Sequence, residues 1–282
     1  MPDDLDDLAR LRAEIDRIDD TMVDLLVERM GYVEAIARAK GVGDGRIAIR
    51  PAREASILRR LTTRAGRRLP VAAVVRIWRE IIGAATARQT PFAVVVQVPH
   101  GDVTALEQAR SHFGMVTPLL AASSSTDALR LLMAGDAKVA VLGLFDPEDR
   151  WWARLQPTLM EGRYVFGCVP FVAVDGMADA WLFGAVTPEA SGDDLSLVRL
   201  EADLDVEPRR LVGRLAERGL QARHIAMVRG NEGLAIHLVE VQGFLVGQEA
   251  ELARTLAPVR QELLHFTVLG AYPRGLMNAT AG

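Results

Sequence analysis

Apolar residues recur along the first forty positions at alternating three- and four-residue spacing: Leu8, Leu11, Ile15, Ile18, Met22, Leu25, Val33 and Ile36. No proline follows position 2 and Gly31 is the one glycine in the run, so the pattern predicts one amphipathic helix from Leu5 to Lys40. At 1.5 Å per residue it would extend about 50 Å, too long to fold back on a small domain alone. Gly41-Val42-Gly43-Asp44-Gly45 ends it. Pro51, placed in a first turn, opens a second helix predicted to about Arg64. Gly66 breaks that helix, and Pro70 opens a third through Ile77, Trp78, Ile81 and Ile82 to about Gln89.

At Pro91 the period changes. Phe92-Ala93-Val94-Val95-Val96 reads as a buried strand, and strands then alternate with helices. Strands are predicted at Ala93–Val98, Leu119–Ala122 and Val139–Leu142, with helices near Thr104–His112 and Thr126–Met133. The stretch Asp146–Pro157 gives no clear period, and its Trp151-Trp152 pair suits either a core or an interface. From Leu195 the order reads βαββαβ. Its strands are Leu195–Leu200, Arg223–Val228, Leu234–Val241 and Phe266–Leu269, with helices after Pro208 and near Glu249–Leu263. This is the order of a ferredoxin-like unit.

A chain of 282 residues, half of them hydrophobic, has room for two or three domains. A net charge of −4 supplies no basic field, which excludes nucleic acid and anionic membrane as main partners. The acidic start Met1-Pro2-Asp3-Asp4 does not read as a targeting peptide, and no apolar run reaches membrane-spanning length. Cys168 stands alone, so no disulfide framework is expected and a reducing cytoplasm suits the chain. The expectation is a soluble, cytoplasmic, multidomain protein.

Candidate chemistry enters where the first pattern is violated. Arg29 and Lys40 stand at positions that the spacing reserves for apolar residues. Eleven residues is close to three turns, so both side chains share a face, with Cα atoms about 16 Å apart, and can reach one small ligand from two sides. Arg12 lies about 25 Å from Arg29 and is turned by about 100°, so it cannot join them from the same helix. An antiparallel second copy could deliver it. Lys40 is one of only two lysines, with Lys138, in a chain otherwise built with arginine; a compact ammonium suits a single oxygen better than a planar fork does. Helical cations also commonly pair with acids, but three along one helix, with Arg53-Glu54 and Gln89 following, weaken that reading.

The runs Leu11-Arg12-Ala13-Glu14-Ile15-Asp16-Arg17-Ile18-Asp19, Leu26-Val27-Glu28-Arg29, Ala39-Lys40 and Arg50-Pro51-Ala52-Arg53-Glu54 resemble the all-helical chorismate mutases. The resemblance covers about residues 5–91 and is to the mutase half of bifunctional chorismate mutase–prephenate dehydratases. It implies chorismate as substrate and a homodimer with swapped helices. It also implies that Arg29 and the partner subunit's Arg12 hold the two carboxylates, with Arg53 supporting the carboxylate end. Glu54 would accept a hydrogen bond from the ring hydroxyl, and Lys40 and Gln89 would donate to the ether oxygen. Ala85 departs from the serine that many relatives carry. The implied rearrangement is pericyclic and needs no nucleophile, metal or cofactor. Holding the compact conformer and stabilising charge on the ether oxygen suffice. Because an amide at position 89 donates at any pH, a flat pH–rate profile near neutrality is expected.

Residues 92–186 resemble a prephenate dehydratase, a periplasmic-binding-like fold, that has lost parts. His112-Phe113-Gly114 and Ser123–Leu144 fit its first lobe. Val98-Pro99-His100-Gly101-Asp102 replaces the family's Gly-Thr-Phe-Ser signature, and Ala178-Asp179-Ala180 falls where Thr-Arg-Phe is expected, counting back from Gly192-Asp193-Asp194. The segment is about half the expected length, so no closed cleft should form and dehydratase activity should be lost. Residues 193–274 resemble an ACT regulatory domain through Val268-Leu269-Gly270-Ala271-Tyr272-Pro273-Arg274. Val206-Glu207-Pro208-Arg209-Arg210 and Ala226-Met227-Val228-Arg229 replace its effector-binding turns, which favours a dimerisation surface over phenylalanine control.

The expected architecture is therefore multidomain. An all-α three-helix chorismate mutase domain (1–91) precedes a truncated α/β lobe (92–190) and an α+β ferredoxin-like ACT domain (191–282). Two alternatives stay open: a bifunctional mutase/dehydratase, and a non-catalytic dimer that senses an aromatic metabolite. The Gly41-x-Gly43-x-Gly45 run follows a helix and reads as a turn. His100, His112, His224, His237 and His265 show no metal spacing, and Asp193-Asp194 reads as a solvated turn.

Overall fold

A computed structural model describes residues 2–39, 47–101, 103–144, 146, 148–155, 157–173, 179–230, 233–259 and 263–277. The chain divides into two compact units, residues 1–45 and 46–282.

The first unit is one helix, α1 (Pro2–Ala39), 38 residues long. The alternating apolar positions produce it as expected, and most of them are exposed: Leu11 is 54 % exposed, Ile15 57 %, Ile18 46 % and Met22 52 %. Lys40 and the Gly41–Gly45 turn lie outside the described residues.

The second unit opens with α2 (Pro51–Ala65) and α3 (Val71–Gln89). Pro51 starts α2 where its missing N–H has no intrahelical role, and Gly66 closes the helix with φ of 59°, its N–H donating to the Thr62 carbonyl. The strands and helices that follow are β1 (Val94–Gln97), α4 (Thr104–Phe113), β2 (Leu119–Ala122), α5 (Ser125–Ala134) and β3 (Val139–Gly143). Next come the short helices α6 (Trp151–Arg154) and α7 (Pro157–Met160), then β4 (Tyr164–Val169), β5 (Val172–Ala173) and β6 (Ala180–Gly184). The chain ends with β7 (Asp194–Asp203), α8 (Pro208–Ala216), β8 (Ala222–Arg229), β9 (Leu234–Gln242), α9 (Glu249–Leu256), β10 (Leu263–Pro273) and β11 (Leu276–Met277).

Nine strands make one sheet, in the order β2-β1-β3-β6-β4-β10-β7-β9-β8. Strands β2, β1 and β3 are parallel, as crossover connections through α4 and α5 require. Residue alternation along β1 sorts the faces: Val94 and Val96 join a core with Ala105, Ala109 and Phe113 of α4, whereas Val95 joins Ala128 and Leu132 of α5. The last four neighbours, β10-β7-β9-β8, are antiparallel and connected βαββαβ, the arrangement expected of a ferredoxin-like unit.

Strands β4 and β6, absent from the sequence reading, join the two halves. Strand β6 pairs antiparallel with β3 and with β4, and β4 meets β10 where Val165 faces Gly270. A Cβ at Gly270 would fall 2.0 Å from the Val165 carbonyl oxygen, so only glycine permits that approach. Residues 46–282 thus share a continuous sheet across position 190. Trp151 and Trp152 are fully buried beneath it, in one core with Trp181, Leu197, Leu238 and Tyr272.

Candidate functional site

Arg12 and Arg29 lie on α1, Arg12 exposed and Arg29 half-buried. Arg53 is exposed on α2, whereas its neighbour Glu54 is buried. Gln89 is half-buried at the end of α3, where its Nε2 donates to the Ala85 carbonyl at 3.2 Å. Within the second unit, Glu54 is the expected site residue whose side chain is already committed to a charged partner. Its Oε2 accepts from Arg79 Nη1 at 2.7 Å and its Oε1 from the Arg50 backbone N–H at 3.3 Å.

Arg79 was not among the sequence-derived candidates. It occupies the apolar face of α3 in the series Val75, Arg79, Ile82 and Thr86, all buried. That spacing is the signal that marks it: a cation where the helix period calls for a hydrophobe. Its guanidinium lies 5.0 Å from the centre of the Phe171 ring. Burial pulls the Arg79 pKa down while Glu54 pushes it back up. The same burial, with Arg79 nearby, holds His112 well below the ordinary histidine value, so its imidazole is neutral at neutral pH. Burial, reinforced by Glu240, pushes the Cys168 thiol up to about 12.

Helices α3 and α4 touch through glycine. A Cβ at Gly83 would meet the Phe113 carbonyl oxygen at 2.2 Å. Glu80, one turn earlier, accepts the Met115 N–H at 2.9 Å.

A second cluster sits at the C-terminal ends of β1 and β3. A parallel sheet changes connection direction at this kind of crevice, which is where ligands usually bind. Here the chain's own Asp149 fills it. Its Oδ2 accepts from the Ser125 N–H at 2.6 Å and from Gln97 Nε2 at 3.0 Å. Its Oδ1 accepts from the Ser125 hydroxyl and from Arg154 Nη2 at 2.6 Å. The N-terminus of α5 favours such an anion. Gln97 completes the cluster by accepting the Gly143 N–H at 3.0 Å.

Of the run Ala178-Asp179-Ala180, Ala178 lies outside the described residues. Asp179 accepts a hydrogen bond from Gln108, and Ala180 is buried at the start of β6. Asp194 is a correction to the solvated turn expected there. It is 5 % exposed and accepts from the Ser191 N–H at 2.8 Å and the Ser191 hydroxyl at 2.6 Å, so its carboxylate closes the turn into β7. Asp193, by contrast, pairs with Arg274 at 2.9 Å on the surface. Among the described residues no group of three or more metal-ligating side chains gathers, and no helix is long and apolar enough to cross a membrane.

The family model for chorismate mutase type II matches residues 11–90. Residues 11–90 form a type II chorismate mutase domain. That span contains Arg12, Arg29, Lys40, Arg53, Glu54 and Gln89. Among similar curated proteins is the bifunctional chorismate mutase/prephenate dehydratase of Pseudomonas aeruginosa. It is 29 % identical over 143 residues, which make up 49 % of this chain and 39 % of that protein. The enzyme of the same description from Neisseria gonorrhoeae is 32 % identical over 119 residues, 42 % of this chain and 32 % of the relative. The matched stretch therefore spans well under half of these relatives' length. Among solved structures, prephenate dehydratase from Streptococcus mutans is similar at TM-score 0.45 and 14 % identity, covering 64 % of this chain and 97 % of that one. GqqA, a novel type of quorum quenching acylase, is similar at TM-score 0.44 and 17 % identity, covering 64 % and 94 %. The mutase domain is thus the helical N-terminal part of a chain that continues as α/β structure.

Proposed function

We propose that the chain is a chorismate mutase that converts chorismate to prephenate in a homodimer, and that it has no prephenate dehydratase activity. The carrying observation is the mutase match over residues 11–90, and the cationic and amide positions proposed for the reaction all fall within that span. Arg29 and the partner subunit's Arg12 hold the two carboxylates, with Arg53 at the carboxylate end. Lys40 and Gln89 donate to the ether oxygen as the bond to it breaks, and Glu54 receives the ring hydroxyl. Fixed donors aimed at growing negative charge are the main source of such catalysis. The exposed apolar stripe Leu11, Ile15, Ile18 and Met22 on α1 supports burial against a second copy. Glu54 must then share its carboxylate between Arg79 and the substrate hydroxyl.

Loss of the dehydratase step is supported by Asp149, which occupies the α5 end of the parallel strands, and by the buried Ala180. The ferredoxin-like unit at 194–273 is proposed to be an ACT-like dimerisation surface, and the chain to work in the cytoplasm.

The test is chorismate consumption by the full-length chain, with prephenate supplied separately to look for phenylpyruvate. Chorismate loss without phenylpyruvate formation is expected. Lys40→Ala and Arg29→Ala should each lower turnover by about 100-fold or more. Mixed Arg12→Ala and Arg29→Ala subunits should recover part of the activity, because one of two shared sites is then whole. No turnover by the parent chain would overturn the assignment, and no recovery on mixing would overturn the shared site.

A further inference from the structure

Between α3, α4 and the segment Pro170–Val172 lies a cavity of about 310 Å³. Such a volume falls at the small end of ligand clefts, which run from about 300 to 1,000 Å³. Three polar atoms of residues lining it are buried without a hydrogen-bond partner among the described residues: Gln108 Oε1, His112 Nδ1 and Arg79 Nε. Buried polar groups are nearly always satisfied by protein, water or ligand. Gln108 Nε2 donates to Asp179, while its Oε1 receives no donor among the described residues.

The charges lining the cavity define what could enter. Arg76 of α3 and Glu107 of α4 are exposed there, and neither has an ion-pair partner among the described residues. Arg79 brings no net charge of its own, since Glu54 balances it at 2.7 Å. One cation and one anion are therefore left to be matched. On the acceptor side stands the Glu107 carboxylate; on the donor side, Arg76 joins the Ser111 hydroxyl. Val75, Phe171 and Val172 add an apolar wall.

We propose that this cavity binds a small zwitterionic α-amino acid with an aliphatic side chain. Its carboxylate meets Arg76 and Ser111, its ammonium meets Glu107, and its side chain lies against Val75, Phe171 and Val172. A dianion would be repelled by Glu107 and a simple amine by Arg76, whereas a zwitterion satisfies both ends. The site does not depend on the mutase reading, because none of the residues that contact the amino acid is assigned to chorismate.

Isothermal titration of the full-length chain with L-leucine and L-valine, in the absence of chorismate, tests it. Two truncated probes accompany them: 4-methylpentanoate, which lacks the ammonium, and 3-methylbutylamine, which lacks the carboxylate. Saturable one-site binding of at least one amino acid is expected, with each truncated probe weaker by about tenfold or more. Arg76→Ala and Glu107→Ala alter exposed side chains, so the unliganded thermal midpoint should stay put while affinity falls by about tenfold. Binding of neither amino acid means that water alone fills the cavity and overturns the proposal. Equal affinity for the truncated probes, or unchanged affinity in both variants, overturns it as well.

Discussion

Arg79 of α3 reaches Glu54 of α2 at 2.7 Å, with both side chains buried and the guanidinium laid over Phe171. The contact ties the two shorter helices of the mutase domain to each other and to the segment that follows β4. Losing one partner leaves an uncompensated buried charge, whereas losing both need not. Arg79→Met alone should therefore destabilise the chain by about 3–5 kcal/mol, and Glu54→Leu with Arg79→Met should recover most of that loss. Urea unfolding of the single and double variants checks it. A double variant no more stable than Arg79→Met would show that the ion pair is not what the site needs.

Three histidines give the fold an acid limit. Burial lowers His112, His224 and His237, with Arg79 adding to the first and His224 to the last, and His237 falls to about 4. A base whose folded value is depressed binds fewer protons folded than unfolded, so its neutral form favours the native state. Stability from these groups should be complete above about pH 6.5, the ordinary histidine value, and decline as the pH falls towards 4. Thermal midpoints measured from pH 7.5 to 4.5 should fall, and His237→Leu should flatten the slope. A midpoint constant across that range would contradict the linkage.

Asp149 holds together the ends of β1, β3 and α5. Asp149→Ala leaves the buried Gln97 amide and the Ser125 N–H without acceptors, which should cost about 2–3 kcal/mol. Arg154→Ala removes a partner that is 56 % exposed and should cost less than about 1 kcal/mol. Chemical denaturation of the two variants side by side decides whether the carboxylate or its ion pair matters.

Gly83 sets how closely α3 approaches α4. Gly83→Ala drives a methyl into the Phe113 carbonyl, and the helices must separate, at a cost of about 1–3 kcal/mol. Cys168 provides a probe close by, lining one small cavity with Arg79 of α3 and His112 of α4. With its thiol pushed up to about 12, it should resist alkylation at pH 8 in the native chain and react on unfolding. Faster labelling in Gly83→Ala would report the loosened packing.

Much of the secondary structure was legible in the sequence because one pattern governed each segment. Pro51 and Pro70 set the starts of α2 and α3, valine-rich runs set β1 and β3, and β2 falls on the expected residues. The βαββαβ order at 194–273 was legible for the same reason. Strands β4 and β6 were not. Tyr164–Val169 is interrupted by Gly167, and Ala180–Gly184 shows neither alternation nor a β-branched run, so neither reads as a strand; pairing with β3 and β10 makes them strands. For the proposed site, spacing and resemblance name Arg12, Arg29, Lys40, Arg53, Glu54 and Gln89. Arg79 escaped because its importance lies in a tertiary contact, although its place on an apolar helix face was visible.

The junction of Gly270 with Val165 bears on how the chain can be divided. Strand β10 lies against β4 along an edge that cutting near position 190 would leave bare, and Trp151, Trp181 and Leu238 lie in one core on both sides of that cut. The final ninety residues are consequently a structural wall of the domain before them, and a shortened chain should aggregate.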